Sequence, residues 1–257
     1  MNENCQMNKY TWRKNFTAIL SNQKEIIKGK LAFKTEETHW LETEKPVIIL
    51  ISTHSSFHEK ISGDLKMNAF VSTIRNHVKG KITVLLSDRA HINTMSLRFQ
   101  NDLQKAQEEC LIKAHALRNR YQSFFENCNV VYGHSYISQN KNFASFLKII
   151  ESLAENDSTF HELLLKDAES AYSNTFIHLF PDKNLFIKNT REDILAQCAS
   201  SLVLIDKGYR YQFYPGNSYE SLDYLNRVFI SQEKQLSWIR VFLTIEKKTI
   251  LPNIMQN

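Results

Sequence analysis

Pro46-Val47-Ile48-Ile49-Leu50-Ile51-Ser52-Thr53-His54-Ser55-Ser56 is the stretch whose reading decides the fold. Its apolar core is short, continuous and mostly β-branched. Proline opens it and a cluster of hydroxyl-bearing residues closes it. An alternating pattern would mark a strand with one wet face. A continuous run of this length marks a strand buried on both faces, as the inner strands of a parallel sheet are.

The pattern recurs twice further along the chain. Ile82-Thr83-Val84-Leu85-Leu86 is a second such run, closed by Ser87-Asp88, and residues 129–132 form a third, closed by Gly133. Between them, helical spacing covers residues 59–78, with Gly80 as its C-terminal cap, and a long stretch over residues 95–126. Three β–α repeats in series predict an α/β fold: a Rossmann-like, mostly parallel sheet with helices on both faces. Further along, helical spacing covers residues 143–153, 159–177 and 192–205, the last closed by Gly208. A strand is expected over 209–214, broken by Pro215-Gly216. A helix over 218–226 and a final strand over 237–245 complete the domain. The chain thus divides into an N-terminal extension over 1–45, a single domain over 46–246 and a tail over 247–257. The extension is expected to hold a short helix and a strand near residues 31–33.

Composition is that of an ordinary soluble domain: 257 residues, 42% hydrophobic and 23% charged. That excludes global disorder, and no run approaches the roughly 18 apolar residues of a membrane span. The first ten residues are polar, so a cytoplasmic location is expected. Thirty-two basic against 27 acidic residues give a net charge of +5, which permits a polyanionic partner without demanding one. Cys5, Cys110, Cys128 and Cys198 lie too far apart for metal-ligand spacing or a dense disulfide framework.

In sheets of this kind ligands sit beyond the C-terminal ends of the strands. Attention falls on residues 52–56, 87–91 and 133–136. Neither a G-x-G-x-x-G nor a G-x-x-x-x-G-K-[ST] phosphate loop is present, nor a G-x-S-x-G elbow. Ser52, just after a buried strand, is placed either as a nucleophile or as a helix cap. His54 and His58, four apart, share a helical face, but no third metal ligand is evident nearby. Arg98, Lys105, Lys113 and Arg120 fall within an arc of roughly 80° on one helix at about 100° per residue. That stripe, with Glu109 on it, is either a solvated face or a track for a phosphate backbone. Asp193 and Gln197 share another helical face. Tyr214 ends a strand at Pro215.

Order and spacing of these pieces, over residues 47–225, resemble the cyclodipeptide synthase family, whose members join two amino acids from two aminoacyl-tRNAs. The best single match is Tyr214-Pro215-Gly216, which resembles the subgroup marked by a Tyr-Pro pair; Ser55 falls at that subgroup's variable position. The resemblance implies a fold like the catalytic domain of class I aminoacyl-tRNA synthetases. It implies Ser52 as the nucleophile that forms an acyl-enzyme in a ping-pong sequence. Tyr214, Gln197 and Asp193 would stand beside it, with Leu50, Ser55 and Pro215 at the substrate pocket. Arg98, Lys105, Lys113 and Arg120 would bind tRNA. The implied partners are two aminoacyl-tRNAs, with neither DNA nor a membrane, and no metal or other cofactor. The chain departs from the family in three places. Leu50 stands where the family has Gly, Asp193 where it has Tyr, and Gln197 where it has Glu. A related aminoacyl transferase with another acceptor and a non-catalytic tRNA-binding homologue are the alternatives.

Overall fold

The computed structural model describes residues 12–21, 26–35, 40, 41, 43–53, 64–172, 180, 182–215 and 218–246. Seven strands form one sheet: β1 (Trp12–Ser21), β2 (Ile26–Thr35), β3 (Val47–Ser52), β4 (Ile82–Ser87), β5 (Asn129–Tyr132), β6 (Tyr211–Tyr214) and β7 (Ser237–Glu246), in the order β1-β2-β7-β6-β3-β4-β5. The five from β7 to β5 run parallel. β1 and β2 form an antiparallel pair that joins the sheet through β7. The short helix expected within residues 1–45 is not seen among the described residues there, and residues 12–21 are a strand. The expected strand near residues 31–33 lies within β2.

The described helices are α1 (Asp64–His77), α2 (Ile92–Ser96), α3 (Leu103–Tyr121), α4 (Phe143–Asn156), α5 (Ser158–Ala171), α6 (Lys183–Asp206) and α7 (Glu220–Val228). They cover both faces, and β3 shows why its sequence carries no alternation. Val47, Ile49 and Ile51 enter a core shared with Phe70 and Ile74 of α1 and Ala114 and Leu117 of α3. Ile48 and Leu50 enter a second core shared with Ile150 of α4, Leu164 of α5 and Ile194 and Cys198 of α6. Both sides of the strand are buried, so both are apolar.

Two glycines mark the connections for different physical reasons. Gly208 follows α6 with φ at 89°, the left-handed geometry expected after a helix. Gly80 is not a left-handed cap. A Cβ there would lie 2.1 Å from the Lys45 carbonyl oxygen, so its role is close approach of the strand leading into β3.

The long helix expected over 95–126 is broken. Gln100 and Asn101 adopt φ of 55° and 67°. They separate α2 and a 3-10 turn (Leu97–Phe99) from α3. Asp102 then caps α3 by accepting a hydrogen bond from the Lys105 N–H at 3.0 Å.

Candidate active site

The strand order reverses direction beside β3. The chain moves from β3 to β4 and β5 on one side, then returns to place β6 and β7 on the other. This is a topological switch point, where open α/β sheets form their ligand crevice. Ser52 ends β3, Tyr214 ends β6, and both lie at the same edge of the sheet. Their side chains share a hydrogen bond. Ser52 is 3% exposed. Burial holds the Tyr214 hydroxyl up at about 12, so it is a neutral phenol at working pH. Its ring packs edge-on against Trp238 of β7 at 5.4 Å. The Thr53 hydroxyl donates to the Ser87 carbonyl at 3.1 Å, which fixes the end of β3 to the end of β4.

Below this edge lies a cavity between the sheet and α6, with about 60 Å³ of water-accessible space. Leu50, Leu85, Leu222 and Trp238 give it apolar walls, and Gln197 borders it from α6. Leu50 and Gln197 thus border one cavity. Gln197 donates from Nε2 to the Ala90 carbonyl at 2.9 Å, and Tyr219 forms a side-chain hydrogen bond with Gln197. Burial pushes the Tyr219 phenol well above its ordinary value. Tyr219, Trp238 and Gln212 were missed in the sequence. A polar Gln212 between two aromatic residues of a buried strand was the signal that could have found one of them.

Asp193 lies one turn before Gln197 on α6, 2% exposed and turned to another task. Its two carboxylate oxygens accept the backbone N–H groups of Asn93 and Thr94, each at 2.9 Å. Neighbouring side chains reinforce the join. Asn189 donates to the Asn93 carbonyl at 2.8 Å, and the Thr190 and Thr94 hydroxyls meet at 3.1 Å. One face of α6 therefore carries a polar row that binds the segment following β4. Burial raises the Asp193 carboxyl to about 7, against the lowering effect of those donors.

Asp88 ends the β4 turn and is fully buried. It accepts the His134 N–H at 2.8 Å, and burial raises its carboxyl above the usual range. It thereby joins the ends of β4 and β5.

The basic stripe is not one surface. Arg98 sits on the 3-10 turn, before the break, with its guanidinium over the Phe180 ring at 5.8 Å. Lys105, Lys113 and Arg120 remain on α3. Each has an acidic neighbour: Lys105 with Asp102 at 3.6 Å, Lys113 with Glu109 at 3.1 Å, and Arg120 with Asp64 at 3.1 Å. Pro215 is buried after β6. Ser55, His54, His58 and Gly216 lie outside the described residues.

No family model matches this sequence. No curated protein matches it either. Solved structures do. A cyclodipeptide synthase from Fluoribacter dumoffii superposes with a TM-score of 0.73 at 13% identity, over 86% of this chain and 99% of that one. The fold is that of the cyclodipeptide synthases. A second, from Candidatus Glomeribacter gigasporarum and bound to Phe-tRNAPhe, gives 0.62 at 18% identity, over 82% and 92% of the two chains. A Mycobacterium tuberculosis protein, whose structure relates cyclodipeptide synthetases to type I tRNA synthetases, gives 0.59 at 9% identity, over 87% and 96%. The likeness to cyclodipeptide synthases is one of architecture, and it includes the parallel sheet with helices on both faces. Among the described residues no helix is long and apolar enough to cross a membrane.

Proposed function

We propose that this chain is an aminoacyl-tRNA-dependent cyclodipeptide synthase. It would make two peptide bonds between amino acids taken from two aminoacyl-tRNAs and release a diketopiperazine. The observation that carries the reading is the hydrogen-bonded pair Ser52 and Tyr214 at the switch point, above a walled cavity. The cyclodipeptide synthase fold supports it. Residues 46–246 form the catalytic unit in this reading.

An aminoacyl-tRNA is an activated ester, so acyl transfer asks for no nucleotide. The Ser52 oxygen attacks the ester carbonyl. The bond to the tRNA 3′-terminal ribose oxygen breaks, and that oxygen leaves with the serine proton. Tyr214, a neutral donor beside Ser52, stabilises the oxygen on which negative charge develops. The amine of a second aminoacyl-tRNA attacks the acyl-enzyme and yields a dipeptide ester. The Ser52 oxygen then attacks the dipeptide ester, and the second tRNA leaves through its ribose oxygen with the serine proton. The free amine of the dipeptide attacks the seryl ester, closing the ring and returning a proton to Ser52. Gln197 can orient an amine but cannot remove its proton. The chemistry tolerates that, because α-amino groups titrate near 7.7–8.0 and an adjacent ester lowers this further. Asp193 serves in this reading as a positioning residue, because both its oxygens hold the Asn93–Thr94 backbone.

The tRNA would lie along Lys105, Lys113 and Arg120, with Arg98 beyond the break. Their ion pairs are exposed, so phosphates can replace the carboxylates at little cost.

Intact-mass measurement of the protein mixed with aminoacyl-tRNA tests the first step. The expected result is an added aminoacyl mass that hydroxylamine removes and that Ser52→Ala lacks. An unmodified wild-type protein overturns the acyl-enzyme. An acylated protein that makes no cyclic product points to the related transferase with another acceptor.

A further inference from the structure

The cavity under Ser52 and Tyr214 has apolar walls, yet three polar side chains line it: Ser87 from β4, Arg89 just after β4, and Gln212 from β6. Ser87 is 8% exposed and Gln212 4% exposed. Among the described residues, none of the three side chains has a hydrogen-bond or ion-pair partner. Trp238, which also lines the cavity, has a buried indole N–H without a partner among the described residues, whereas three neighbouring polar side chains are paired. Ser200 and Ser201 donate back to the Ala196 and Gln197 carbonyls, and Gln197 donates to Ala90.

Ser87 and Gln212 are buried and Arg89 is half-buried, and polar side chains that face a small cavity without protein partners leave their donors and acceptors to a ligand. Their chemistry states which. Arg89 brings five N–H donors and a fixed positive charge, Gln212 an amide donor pair, and Ser87 a hydroxyl. The guanidinium rests over the Phe143 ring at 5.4 Å, which holds its plane without using its donors. Asp88 and Asp193 are near enough to favour its charge. Neither forms an ion pair with it: both Asp193 oxygens and Asp88 Oδ1 accept backbone N–H groups, and the buried Asp88 Oδ2 has no hydrogen-bond partner among the described residues. A donor-rich, cationic end inside apolar walls fits a short aliphatic chain that ends in a carboxylate.

We propose that this cavity receives the side chain of the aminoacyl group, and that Arg89, with Gln212 and Ser87, selects an acidic amino acid, glutamate or aspartate. The proposal rests on the synthase reading above. A phosphate would offer the guanidinium the same anionic oxygens. The cavity's small, walled interior favours the side chain over the nucleic-acid backbone.

The test is transfer from purified Glu-, Asp-, Gln- and Leu-tRNA to wild type and to Arg89→Met. Wild type is expected to take glutamyl or aspartyl groups at least about 10²-fold faster than glutaminyl or leucyl groups, since sites built to pair a polar group strongly reject analogues that lack it. Arg89→Met is expected to lose that preference and to retain leucyl transfer. Gln212→Leu, which weakens the same preference, serves if Arg89→Met does not fold. A wild-type preference for leucyl or glutaminyl groups overturns the proposal. So does an Arg89→Met variant with unchanged preference but weaker binding of uncharged tRNA, which assigns the guanidinium to a phosphate. If no aminoacyl-tRNA reacts, the synthase reading fails on its own. The anion site is then judged by saturation-transfer NMR with free L-glutamate. A signal above the L-leucine control that Arg89→Met abolishes sustains the site; its absence removes the site.

Discussion

The carboxylate of Asp193 accepts the backbone N–H of Thr94 at 2.9 Å, across 99 residues of sequence. With Asn93 on its other oxygen, it anchors the turn after β4 to α6. Asp193→Asn leaves one of these N–H groups facing an amide donor, at a cost of about 1–3 kcal/mol. The pH dependence has a definite sign. The folded carboxyl, at about 7, lies above its unfolded value, so the folded state holds the proton more tightly. That contribution is complete below about pH 4 and disappears as pH rises through about 7. Urea titrations of both proteins from pH 4 to pH 8 check this. The stability gap between wild type and Asp193→Asn is expected to narrow as pH rises.

Tyr214→Phe removes the hydroxyl that Ser52 meets and keeps the ring against Trp238. Acylation of Ser52 is expected to slow about 10²-fold, as when one donor to a developing oxyanion is lost. Thermal unfolding is expected to move little. Since the wild-type hydroxyl titrates only near 12, the single-turnover rate of wild type should show no tyrosine limb below pH 10. Quenched-flow acylation over pH 6–10 checks both statements.

Gln197→Glu restores the acid that the resemblance leads one to expect. The present amide donates to the Ala90 carbonyl; a carboxylate there would face another acceptor. The variant is expected to lose about 1–3 kcal/mol of stability without gaining synthase rate. Paired denaturation and product assays check it. A faster enzyme would mean that the amide limits proton removal from the substrate amine.

Lys105, Lys113 and Arg120 make only exposed ion pairs. Changing all three to Gln is expected to shift stability by little, because solvent screens such exposed pairs. Its effect belongs to RNA affinity. The slope of log K against log salt for tRNA is expected to fall by about 0.7–0.9 per residue that contacts phosphate. Filter binding at several salt concentrations reads it, and an unchanged slope removes the stripe from the interface.

β3 was legible because five apolar residues without alternation leave few alternatives, and β4 repeats the pattern. Ser52 and Tyr214 were singled out because each ends a strand, and Leu50 and Gln197 because a resemblance points to them. The break before α3 was not legible. It depends on Gln100 and Asn101 in left-handed backbone geometry; Asn favours that region, but Gln gives no sign of it. The task of Asp193 was hidden too, since its partners are backbone N–H groups of a distant turn. Gly80 was correctly placed after a helix, but its reason, the Lys45 carbonyl beside it, exists only in three dimensions. Arg89, just after β4, and Gln212, on β6, border one cavity only because β3 pairs with both strands.

The central claim is tested most directly by mass spectrometry of the medium from cells that express the chain, beside a Ser52→Ala control. The account expects new cyclic dipeptides from wild type and none from the control. Cyclic dipeptides that persist in Ser52→Ala, or none from a folded wild-type protein supplied with charged tRNA, would contradict it.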